Sequence, residues 1–181
     1  MAIAAPTIAI SKPYLLVVEG QDEKRFFEAI ISHLGLQNIQ VMPIGGKTKL
    51  RENLRALVSA PGFAGVVSLG VVRDADNDPD AAFRSVTDAL GAAELAVPER
   101  LLVPAGERPR VSVMVLPEQG VPRPHNMSKA RAHVFLASRE EPDKRLGEAA
   151  EAGYWPWDNE AFDHLKAFLR QIGSGGTPEP S

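Results

Sequence analysis

Phe63-Ala64-Gly65-Val66-Val67-Ser68-Leu69-Gly70-Val71-Val72-Arg73-Asp74-Ala75-Asp76-Asn77-Asp78-Pro79 runs from a long, largely apolar stretch straight into carboxylates at every second position. An apolar run rich in β-branched residues and without polar alternation predicts a strand over 63–72 buried on both faces, as in a parallel sheet. Acids just past the end of such a strand converge on one small volume, which is how a protein makes a site for a hard divalent cation.

A second stretch earlier in the chain has the same form. Tyr14-Leu15-Leu16-Val17-Val18 predicts another doubly buried strand, and it too ends in an acid, Glu19, followed by Gly20. Next, Gln21-Asp22-Glu23 opens an amphipathic helix with Phe26, Phe27, Ile30, Ile31 and Leu34 on one side and Gly35 as its stop. A short strand at 39–42 leads into the turn Pro43-Ile44-Gly45-Gly46 and a helix over 48–59 built on Leu50, Leu54, Leu57 and Val58. Pro61-Gly62 interrupts the chain before the central strand. Pro79 suits the first position of a third helix, 79–90, with Asp78 or Asn77 as its cap. Strand and helix alternate three times, which predicts an α/β fold, a parallel sheet covered by helices.

The second half is less regular. Residues 94–110 read as a loop and 111–116 as a strand, whereas 117–126 hold three prolines and a glycine and exclude regular structure. Helices are predicted at 129–138, 146–152 and 159–172, the last with Phe162, Leu165, Phe168 and Leu169 inward. The expected organisation is an α/β core over 12–117, a helical C-terminal extension over 118–172 packed on it, and a disordered tail over 173–181.

A chain of 181 residues is long enough to bury a real core. It has no cysteine, so any metal must be held by oxygen or by histidine. A net charge of −3 argues against coating nucleic acid by bulk charge, though a local basic patch is allowed. No apolar run approaches the roughly 20 residues that cross a bilayer, and Met1-Ala2-Ile3-Ala4-Ala5-Pro6 lacks the pattern of a secretory signal. No membrane association is expected, and the expected location is the cytoplasm.

Spacing eliminates some readings of the acids. A calcium loop starting at Asp74 needs glycine and glutamate where the chain has Pro79 and Ser85. A haloacid-dehalogenase nucleophile would lie on the first strand and precede a small hydroxyl residue, which leaves it a lesser alternative. Asp76, Asn77 and Asp78 can also simply form a turn and a helix cap. Glu19 weighs against that plain reading. An acid directly after an all-apolar strand is costly unless it faces solvent or a partner, and neighbouring strand ends in a parallel sheet bring Glu19 and Asp74 or Asp76 together where such sheets bind ligands.

Gly45-Gly46-Lys47-Thr48 lacks the first glycine of a nucleotide-binding phosphate loop, since position 41 is Val41. The amides of Gly45 and Gly46, beside Lys47, Lys49 and Arg51, are instead candidates for holding a backbone phosphate of a nucleic acid, and Arg73 is a further candidate. His33, His125, His133 and His164 are scattered and read as surface or core residues. Tyr154-Trp155-Pro156-Trp157 reads as packing for the last helix in preference to a base-stacking platform.

Val17-Val18-Glu19-Gly20 followed by Asp74-Ala75-Asp76 resembles the topoisomerase–primase (Toprim) domain, marked by a glutamate after the first strand and Asp-x-Asp after a later one. With Gly45-Gly46, Leu116-Pro117 and Lys129-Ala130-Arg131-Ala132-His133 added, the chain resembles the small stand-alone family DUF3226, related to the Toprim portion of the overcoming-lysogenization-defect nucleases. The resemblance implies a Rossmann-like sheet of about four mostly parallel strands, Mg²⁺ (or Mn²⁺) at the Asp-x-Asp, and phosphodiester chemistry on nucleic acid, DNA before RNA. It implies that Asp74 and Asp76 are metal ligands and catalytic residues, Glu19 a general base or ligand, and Asp78 an auxiliary acid in the metal set. A homodimer and a partner ATPase or defence-system protein are expected as assembly partners. One departure is that Leu116-Pro117 runs almost straight into the Lys129 helix, where the family carries a longer segment with a further Glu-Asp pair. Neither Tyr14 nor Tyr154 stands where a topoisomerase nucleophile would. Two other readings stay open: a non-catalytic module binding nucleic acid or a partner protein, and a metal-dependent phosphohydrolase acting on a small phosphate ester.

Overall fold

The computed structural model describes residues 8–74, 78–116, 157–158 and 162–174. Among them are strands β1 (Tyr14–Val18), β2 (Ile39–Pro43), β3 (Ser68–Asp74) and β4 (Arg110–Leu116). They form one four-stranded sheet in the order β2-β1-β3-β4, with every pairing parallel. The sheet is the α/β architecture the alternating sequence predicts. Its central strands β1 and β3 are the two continuous apolar runs, because only there do both faces need apolar side chains.

Alternation along each strand sorts the core into two layers. Leu16, Val18, Val72 and Met114 face α1 (Gln21–His33) and α4 (Asp163–Gly173). Leu15, Val17, Val71, Val113 and Val115 face α2 (Leu50–Val58) and α3 (Pro79–Ala92). Helix α4 seats closely on β3 because Gly70 has no side chain: a Cβ there would lie 2.9 Å from Ile172 Cδ1 and 3.0 Å from Leu16 Cδ1. Trp157 belongs to the same layer, with its ring 5.4 Å from Phe26 and 5.2 Å from Phe162, which is the packing role read from the sequence. Trp155 and Tyr154 lie outside the described residues.

Several boundaries differ from expectation. Residues 63–65 form a 3-10 turn and β3 starts only at Ser68. Gly62 takes a left-handed φ of +92 and Val66 N–H closes back on the Phe63 carbonyl, so the apolar run begins as a turn before it enters the sheet. Phe63 still contributes to the core as a buried side chain. A second 3-10 turn at Lys47–Lys49 precedes α2. Gly173 is the last residue of α4 and not part of a tail. The helices expected at 129–138 and 146–152, like 175–181, lie outside the described residues. The stretch 94–110 is pinned along the outer edge of β4, with Leu102 N–H on the Val113 carbonyl and Ala105 bridged to Val111, which covers an otherwise open edge. Among the described residues no helix is long and apolar enough to cross a membrane.

Candidate functional site

The chain reverses direction of winding between β1 and β3, and the carboxyl ends of these two strands are where open α/β sheets bind ligands. Val17 pairs with Val71, so the register continued by two residues sets Glu19 level with Arg73. Glu19 Oε1 accepts the N–H of Asp74 at 3.2 Å and lies 3.6 Å from Arg73 Nε. Both side chains are largely buried, Arg73 at 11% exposure and Glu19 at 17%. Arg73 Nη1 donates to Ser85 Oγ on α3 at 2.6 Å. Its Nε is buried without a hydrogen-bond partner, so the contact with Glu19 is ionic and not a hydrogen bond.

The main chain of Glu19 is held as firmly as its side chain. Its carbonyl accepts the N–H groups of Gly45 and Gly46, each at 3.1 Å, while Ile44 N–H reaches the Val18 carbonyl at 2.9 Å. Gly45 and Gly46 have φ of +80 and +97, a backbone that residues with a Cβ adopt only under strain. Asn53 of α2 donates to the Ile44 carbonyl and fastens the loop from beyond.

These contacts give Gly45 and Gly46 a role beside the phosphate contact expected of them. Their amide hydrogens are directed at the Glu19 carbonyl, so the loop holds the main chain at that acid. Arg73, expected on a phosphate, is directed inward at Glu19 and Ser85. Lys49 is exposed at the start of α2, and the side chain of Lys47 lies outside the described residues.

Glu19 holds its proton more tightly than an ordinary glutamate. Burial is the main cause and the charge of Asp74 the second, with Glu23 adding a little; the Asp74 N–H and Arg73 act the other way. Glu23, one turn along α1, also lines an open pocket of about 650 Å³ with Glu19, Gly20, Gln21, Pro43, Gly45 and Gly46. The sequence reading used Glu23 only as a helix opener. Its spacing of four residues from Glu19, across a turn into a helix, was the available signal. Ser85 had none, because its place beside Arg73 depends on how α3 packs.

Asp78 fills one of the roles read for it, the cap of the third helix. It is exposed and caps α3, its Oδ1 accepting the Ala81 N–H at 3.0 Å. Asp76 lies outside the described residues. Among the described residues no group of three or more potential ligands gathers at one point. The donors described at the strand ends, Glu19 and Asp74, are hard carboxylate oxygens, and the charge of Asp74 at Glu19 is a repulsion that a divalent cation would relieve. Such oxygen donors are the kind that a hard divalent cation takes.

A family model described as a protein of unknown function, DUF3226, matches residues 13–123 and 112–174. The chain belongs to the DUF3226 family. The match comes in two pieces that overlap at residues 112–123. Comparison with curated proteins gives no match. Solved structures similar to this DUF3226 chain include the C-terminal region of the Xanthomonas campestris pv. campestris OLD protein. The form phased with iodine is 20% identical with a TM-score of 0.38, covering 89% of this chain and 80% of that one. The form phased with platinum is 19% identical with a TM-score of 0.38, covering 91% and 80%. The α/β fold itself rests on the strand order and parallel pairing described above.

Proposed function

We propose that this DUF3226 protein is a Mg²⁺-dependent nucleic-acid-processing protein that cleaves phosphodiesters, with DNA as the first candidate substrate. The observation that carries the reading is the bond from Asp74 N–H to Glu19 Oε1, which ties the acid-bearing ends of β1 and β3 together at the ligand-binding edge of the sheet.

Glu19, Asp74 and Asp76 are the residues proposed to hold the cation, with Asp78 adjoining them at the start of α3. When bound, Mg²⁺ supplies charge to polarise a phosphate oxygen and to favour hydroxide over water. The protein's own contribution is orientation and proton handling. Glu19, held beside the Asp74 N–H at the end of β1, is placed to pass a proton to or from a water or leaving oxygen. The Gly45–Gly46 amides hold its backbone in place while this happens.

The test incubates the protein with labelled single- and double-stranded DNA and RNA in Mg²⁺, Mn²⁺ or EDTA, beside an Asp74→Ala, Asp76→Ala double variant. Metal-dependent cleavage by the wild type and none by the variant is the expected result. Absence of cleavage, with the double variant binding nucleic acid like the wild type, would sink the nuclease reading and leave a binding module. Hydrolysis of small phosphate esters alone would point to the phosphohydrolase reading.

A further inference from the structure

We infer that Arg73 is a positioning residue: its guanidinium, anchored by Ser85, fixes the carboxylate of Glu19 at the sheet edge and does not contact nucleic acid. The inference rests on the reading of Glu19 as part of a cation site.

Arg73 precedes the acid cluster in the chain, and a cation at that position reads most simply as a phosphate contact. The fold places it otherwise. Its side chain is only 11% exposed and lies on the α2/α3 side of the sheet, where α3 supplies the Ser85 hydroxyl at 2.6 Å. A side chain that binds a phosphate backbone needs its donors directed at the ligand. Here Nη1 is committed to Ser85, and the buried Nε faces Glu19 Oε1 at 3.6 Å. A shift of roughly half an ångström would turn that ionic contact into a hydrogen bond. Glu19 otherwise meets two like charges, Asp74 and Glu23. Arg73 is the one described cation among the groups acting on it, and it keeps a carboxylate in a crowded acid site from turning away.

Outer partners of this kind tune a ligand without touching the metal, and their loss typically weakens metal affinity by about 10 to 100-fold. The experiment compares wild type, Arg73→Ala, Arg73→Lys and Ser85→Ala as full chains. It measures the Mg²⁺ dissociation constant by calorimetry, the salt dependence of DNA binding, and thermal unfolding without metal. Expected are Mg²⁺ binding weaker by about tenfold or more in Arg73→Ala, partial recovery in Arg73→Lys, and a smaller loss in Ser85→Ala. The slope of log affinity against log salt should stay that of the wild type. A slope lowered by about one unit in Arg73→Ala, or unchanged Mg²⁺ affinity, overturns the inference and leaves the cation site standing. A wild type that neither binds Mg²⁺ nor cleaves overturns the cation-site reading and the inference with it. If Arg73→Ala fails to fold, Arg73→Lys and Ser85→Ala decide the matter, since both keep the buried volume nearly filled.

Discussion

Glu19 and Asp78 are both carboxylates next to the ends of elements that meet at one sheet edge, yet the fold uses them in opposite ways. Asp78 is exposed and accepts the Ala81 amide at the start of α3, where the helix's unsatisfied N–H groups favour a negative charge. Glu19 is largely buried between β1 and β3, with the charges of Asp74 and Glu23 near it and Arg73 only partly offsetting them. A carboxylate satisfied by a helix end has little reason to attract a cation. One crowded by like charges does, which is why Glu19 and not Asp78 stands at the centre of the proposed cation site.

The sharpest way to break this contrast is to remove each acid in turn. In the proposed nuclease, Glu19→Gln should lower metal-dependent cleavage by about 10² to 10⁴-fold, the usual worth of a positioned acid or base. Asp78→Asn, which keeps a good cap, should leave kcat/KM within about threefold on the same ground. Equal losses in the two variants would make Asp78 a full member of the catalytic set, as the acid spacing alone suggests.

That spacing explains what the sequence could and could not tell. The runs at 14–18 and 68–72 announce central strands because burial on both faces leaves no room for polar alternation, and Glu19 and Asp74 follow from where those strands end. The turn at 63–65 escaped because Phe63 is buried like a strand residue, although Gly62 has already bent the chain. The inward placement of Arg73 was not legible for a deeper reason. Whether a residue at a strand end points to solvent or under a helix depends on the register between β1 and β3 and on the packing of α3, neither of which is local in sequence. The same non-locality hid the role of Gly45 and Gly46, whose amides reach a carbonyl from a different strand.

The glycine pair gives the next test, because it fixes the Glu19 carbonyl from a distant loop, whereas the Asp78 carbonyl is held by Ala82 N–H of its own helix. A Cβ at Gly46 would meet nothing within 4 Å, so Gly46→Ala isolates the backbone term at φ +97. It should destabilise the protein by about 1–2 kcal/mol in chemical denaturation and also reduce any stabilisation by Mg²⁺. A loss of stability with Mg²⁺ stabilisation intact would mean that the loop supports the fold but not the site. Asp78→Ala should be milder, about 1 kcal/mol from the lost cap, with Mg²⁺ stabilisation intact.

The smallest expected effect, and the one that probes Glu19 itself, is its dependence on pH in the absence of metal. Its folded proton affinity lies above the ordinary glutamate value of 4.5, so between 4.5 and the raised folded value the native chain holds a proton that the unfolded chain has released. Stability falls with rising pH wherever the folded state binds more protons. The Glu19 contribution is therefore fully present below pH 4.5 and is lost as pH climbs through the folded value. Glu19→Gln mimics the protonated form and has no such loss. Its unfolding free energy should vary less with pH in that window and should exceed the wild type's at pH 7. A Glu19→Gln variant less stable than wild type at pH 7 would reverse the conclusion, meaning that Arg73 left without its anion outweighs the relief of Asp74 and Glu23.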